Sequence, residues 1–139
     1  MTAEESRVSD YLGKACDQVA DSLDHYQRVA LLPLDRQIGA ADEFFHYWKS
    51  LYATWQGTTS PNSLKPVYAQ LGRALDILNG VVDDCKKALE QKNTARYRSA
   101  LVRVKDVTPE LDETRELLSK WLKSKSAPQS ALPSSGAKD

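Results

Sequence analysis

The chain has 139 residues, with 19 Lys and Arg set against 19 Asp and Glu, so its formal net charge is zero. That length supports one domain with a real core, and the charge balance excludes the general basicity of many nucleic-acid binders. Six glycines and six prolines are too few for the many tight turns of a sandwich or barrel.

The hydrophobic pattern predicts an all-α fold. Thr2 followed by Glu5 resembles a capping box, in which each side chain satisfies an orphan backbone N–H at a helix start. Behind it, Val8, Leu12, Ala15, Val19, Leu23, Tyr26 and Ala30 recur in three- and four-residue steps, the helical period. Pro33 cannot donate a helical hydrogen bond and disfavours helix at Leu32, so it separates the first helix from the second. The second helix runs through Leu34, Ile38, Ala41, Phe45, Trp48, Tyr52 and Trp55, with Gly57 as its stop. Residues 58–63 form a loop by composition, and a third stripe follows from Leu64 to Leu89. Asn79-Gly80 lies inside that stripe, but the apolar phase continues through it, so one helix is expected. Lys92-Asn93-Thr94 makes a tight turn into a fourth stripe from Tyr97 to Leu122.

Long helices joined by short connections predict an up-down four-helix bundle over residues 1–123, with a kink or a fifth short helix at Pro109. Residues 124–139 contain five serines, two prolines and one leucine, and read as a disordered tail or linker. The acidic start and the two widely separated cysteines, Cys16 and Cys85, indicate a soluble protein of the reducing cytoplasm, without a signal peptide. No segment approaches the ~20 apolar residues of a membrane span.

Asp42, His46 and Ser50 fall on one side of the second helix in an order that invites a catalytic reading. A continuous helix, however, supplies neither free N–H groups for an oxyanion nor a dry pocket, so a solvated face is expected. Glu43 and His46 form one Glu-x-x-His, but ferritin-like di-metal bundles use that element twice. The two cysteines and two histidines lack paired zinc-ligand spacing. No metal site, cofactor, catalytic residue or small-molecule substrate is expected. Asp10, Asp17, Asp21 and Asp24 form an acidic line on the first helix, shared with Lys14 and Arg28.

Two surfaces remain as candidates. Six of the 11 aromatic residues lie between Phe44 and Trp55. Phe45, Trp48, Tyr52 and Trp55 suffice for a core stripe, and a second line of Ala40, Phe44, Tyr47 and Leu51 widens the apolar arc beyond what a surface helix needs. Either both lines are core, or Phe44, Tyr47 and Leu51 form an exposed protein-binding patch. The second candidate straddles the third connection. Lys86, Lys87, Lys92, Arg96 and Arg98, with Arg103 and Lys105 beyond, are interrupted by one carboxylate, Glu90, and predict a positive hairpin tip able to bind anions or anionic lipid.

Trp55-Gln56-Gly57 ahead of a loop resembles the interhelical turn of the WxG family of small secreted helical hairpins. The likeness covers three residues. The chain is longer than those proteins, and none of its tyrosines has the acidic residue four positions on that their export signal requires. The helix spacing and basic third hairpin also resemble the N-terminal four-helix bundles of necroptosis-type pseudokinases and related plant immune receptors, without a diagnostic motif. That resemblance implies phosphoinositide binding and self-association. The expected function is a non-enzymatic interaction module that binds a protein partner or self-associates through the second helix; the alternative is an anionic membrane bound through the third hairpin.

Overall fold

A computed structural model describes residues 1–131. The chain is all-α, an up-down four-helix bundle, and no strand occurs among the described residues. Helix α1 spans Ala3–Val29 and α2 spans Leu34–Gln56. A short 3-10 turn at Asn62–Leu64 leads into α3, Lys65–Glu90, which runs unbroken through Asn79-Gly80. The fourth limb is divided into α4, Thr94–Val102, a 3-10 turn at Arg103–Asp106, and α5, Val107–Ala131.

The break in this limb falls ahead of Pro109, and the piece beyond it is long, whereas a short one was expected. In a continuous helix the Pro109 ring would meet the carbonyl four residues earlier, at Lys105. Tightening to 3-10 over 103–106 relieves that conflict and places Pro109 in the first turn of α5, where no intrahelical N–H bond is needed. The expected tail also begins later than 124. α5 continues to Ala131, with the Ser124 and Ser126 hydroxyls donating to carbonyls at Trp121 and Leu122. Residues 132–139 of that tail lie outside the described residues.

α3 is the central element. Its buried positions include Val67, Leu71, Ala74, Leu75, Leu78, Val81, Val82, Cys85 and Ala88, and it packs chiefly on α5, α4 and α2, with less direct contact to α1. Ala41, Phe45 and Trp48 complete the core from α2, Tyr97 and Ala100 from α4, and Val107, Leu111 and Leu118 from α5. Trp48 is fully buried, and its indole N–H donates to Ser22 Oγ at 2.9 Å. The Ser22 hydroxyl in turn donates to the Val19 carbonyl at 2.8 Å, so both the Trp48 N–H and the Ser22 hydroxyl are satisfied, whereas the neighbouring Tyr26 hydroxyl is buried without a partner among the described residues. Lower down, Trp55 clamps α2 to α3. Its indole donates to the Tyr68 carbonyl, its ring stacks on Tyr68 at 4.7 Å, and the Tyr68 hydroxyl donates to the Trp55 carbonyl. Gly72 is required there, because a Cβ would run into the Trp55 ring.

The two ends of the bundle are built differently. At one end Glu5 closes the capping box with Thr2, accepts from Ser63 Oγ at 2.6 Å, and pairs with Lys125 Nζ at 3.0 Å. One carboxylate thus ties α1 to the loop before α3 and to the far turns of α5. At the other end the α3–α4 turn is a Schellman motif: Asn93 N–H bonds to the Ala88 carbonyl and Lys92 N–H to that of Leu89. Lys92 occupies the left-handed position of this motif with φ 54°, where glycine or asparagine is usual. Asn93 then caps α4 through Arg96 N–H at 3.0 Å.

The Ser63 hydroxyl, with the Thr2 N–H and Lys125, holds the Glu5 carboxyl near 2, well below its ordinary 4.5. A group whose folded value is depressed stabilises the fold above its unfolded value, and that contribution disappears as pH falls through the window between the two. Glu5→Gln should therefore unfold at lower urea than wild type at neutral pH, with the two curves converging as pH drops from 4.5 to about 2.

Candidate functional site

The α2 residues that resemble catalytic or metal-binding sets lie on the solvent side. Asp42, Glu43, His46 and Ser50 are exposed, and His46 Nε2 sits 3.5 Å from Asp42. Among the described residues no group of three or more His, Cys, Asp or Glu is placed to hold a metal ion. Cys16 and Cys85 are buried free thiols, pushed up by desolvation to about 11 and about 12, which keeps them protonated and unreactive.

The aromatic surface divides. Phe44 is half-buried, edge-on to Tyr26 at 5.4 Å and 6.0 Å from Trp48, and Leu51 is half-buried against the core. Tyr47 remains outside, 39 % exposed. The Trp48–Ser22 bond accounts for this division, because it turns the flank carrying Phe44 and Leu51 toward α1. Phe44, Tyr47 and Leu51 therefore do not form one exposed patch. Between α1 and α2 lies an open groove of about 470 Å³, with Ser22 and Phe44 in its lining and Asp21, His25, Glu43 and Tyr47 on its walls.

The basic cluster is exposed, but its members do not share one face. Arg98 lines a cleft of about 430 Å³ with Tyr26, Ala30, Leu32 and Leu34, whereas Arg96 faces Asp84, Ser99 and Arg103. Lys86 and Lys87 are successive positions on α3, and Lys92 stands at the turn. The five therefore surround the tip. Arg103 is spent on an ion pair with Asp84 at 2.8 Å, while Lys86, Lys87, Lys92, Arg96 and Arg98 make no ion pair among the described residues.

The up-down topology brings a second connection to the same end, the α1–α2 turn at residues 30–33. It adds Arg28 and Arg36, both exposed, and two leucines that sequence reasoning did not single out. Of seven exposed large apolar side chains among the described residues, Leu31, Leu32, Leu89 and Val102 lie at this end, with Leu31 86 % and Val102 56 % exposed. The signal for the leucines was local: Ala30-Leu31-Leu32 continues past the helical stripe and ends at Pro33, so not all three can face the core.

No helix of the described residues is long and apolar enough to cross a membrane. No family model, curated protein or solved structure matches the chain.

The division of the aromatic line is directly measurable. Phe44→Ala should cost about 2 kcal/mol in urea unfolding, below the full core value because the ring is half-buried. Tyr47→Ala should stay within about 0.5 kcal/mol of wild type.

Proposed function

We propose that the chain is a non-enzymatic interaction module whose working surface is the basic, aliphatic end of the bundle, set against an anionic membrane. The observation that carries this reading is the coincidence of exposed aliphatics and unpaired cations at one end. Segments 28–37 and 86–105 hold nine cations and two carboxylates. Each Lys or Arg near an anionic surface is worth about 1 kcal/mol, and an aliphatic tip that enters the interface adds a non-electrostatic anchor. The arrangement suits a membrane better than a compact ligand, since the cations encircle the tip and do not converge on one point.

Lys92 adds an independent argument. A left-handed residue other than glycine costs about 1 kcal/mol, yet the turn carries an exposed lysine there. A side chain kept at such a position is expected to serve something other than stability. The protein-binding reading of α2 loses its continuous patch, because Phe44 and Leu51 pack inward; what survives of it is the α1–α2 groove.

Lys92→Gly separates the two roles. It should raise stability by about 1 kcal/mol and weaken binding to phosphatidylserine- or phosphoinositide-containing vesicles about fivefold. Leu31→Glu, at an 86 % exposed position, should leave the melting temperature unchanged and reduce vesicle co-sedimentation by at least about tenfold, the equivalent of one lost leucine burial. Wild type that stays in the supernatant at low salt, or that binds neutral phosphatidylcholine vesicles equally well, would remove the reading.

A further inference from the structure

The α1–α2 groove carries a separate inference, independent of the membrane reading. Its walls place acceptors on both sides: the Asp21 carboxylate on α1 and the Glu43 carboxylate on α2. Neither side chain makes a hydrogen bond or ion pair among the described residues. No Lys or Arg lines the groove, although the chain has 19 of them. His25 Nδ1 lies 2.9 Å from the Asp21 carbonyl. A carbonyl only accepts, so Nδ1 carries a proton and donates. The Phe44 and Tyr47 rings also line the groove, and an aromatic face attracts a cation. The polar atom in the lining beneath them asks for nothing, since Ser22 Oγ is already engaged by Trp48 and Val19.

We infer that this groove is a docking site for an arginine side chain presented by a basic segment of a protein partner. Carboxylates on the two walls and aromatic rings in the same groove match a planar guanidinium, which bonds edge-on to carboxylates while its face stacks on a ring. A lysine ammonium would meet the same charge but could neither bridge the two walls nor stack. The occupant is a side chain of a chain lying outside, because the groove is open and its volume of about 470 Å³ is bounded by two exposed helix faces.

The Trp48 indole N–H, bonded to Ser22 in the groove lining, is a reporter of this site. In ¹⁵N-labelled full-length protein, the acetylated and amidated tripeptide Ala-Arg-Ala should shift the Trp48 indole resonance saturably, leaving those of Trp55 and Trp121 in place. The citrulline tripeptide, which keeps the shape without the charge, should give no saturable shift. Asp21→Asn with Glu43→Gln, both exposed positions, should weaken the arginine response at least tenfold at unchanged melting temperature. An equal response to citrulline, or one unaltered in the double variant, would overturn the site. A lysine tripeptide that binds as tightly as arginine would overturn the guanidinium assignment. Salt-sensitive dimers abolished by the same double substitution would give the groove to a second copy of this chain and overturn an external partner. Loss of vesicle binding leaves all of these readouts unaffected, so the two surfaces fail or stand separately.

Discussion

The hydrogen bond from the Trp48 indole to Ser22 sets the rotation of α2, and much of the surface follows from that angle. A fully buried indole N–H without a partner would cost 1–3 kcal/mol, roughly, so α2 cannot turn without losing both this bond and the burial of the largest side chain in the core. With Trp48 fixed, Phe45 goes inward and Phe44 edges against Tyr26. Tyr47 is left at the rim, and a groove stays open between the two helices. Core packing and the candidate recognition site are thus two consequences of one contact.

A net charge of zero conceals a segregated molecule. The end formed by residues 28–37 and 86–105 carries an excess of seven positive charges, and the remainder of the chain carries the matching negative excess. Four ion pairs between helices or across the chain ends use some of the acidic groups: Lys49–Asp83, Arg103–Asp84, Arg115–Asp17 and Lys125–Glu5. Three of these involve exposed side chains and contribute little to stability. The Glu5 contact differs, because its carboxylate also serves a capping box and a loop hydroxyl. The Glu5 end is tied together by one carboxylate, while the opposite end holds a left-handed lysine, unpaired cations and exposed leucines.

The helices, their order and the continuity of α3 through Asn79-Gly80 were legible because periodicity reports burial directly. Periodicity does not report partners. Ser22 is silent in hydropathy and lies 26 residues from Trp48, so which flank of α2 would face α1 was not readable. The basic end was half legible. Lys86 to Arg98 stand out along the chain, but Arg28, Arg36, Leu31 and Leu32 join them only through the up-down topology. Composition hid helix at residues 124–126, the start of a serine-rich stretch. There the hydroxyls return to helix carbonyls and Lys125 finds Glu5, giving the helix local and tertiary support that no compositional rule contains.

The central claim is that the basic end enters an anionic interface, and depth measured at a single residue tests it most directly. Cys16 and Cys85 are buried and held protonated, so a nitroxide added to a Leu31→Cys variant will react at the introduced thiol, and an Asn62→Cys variant labels the opposite end. On phosphatidylserine vesicles the label at 31 should gain accessibility to oxygen and lose accessibility to a water-soluble nickel chelate, while the label at 62 stays aqueous. A label at 31 that remains as accessible to the chelate as in solution, or one that behaves identically at both ends, would contradict the account.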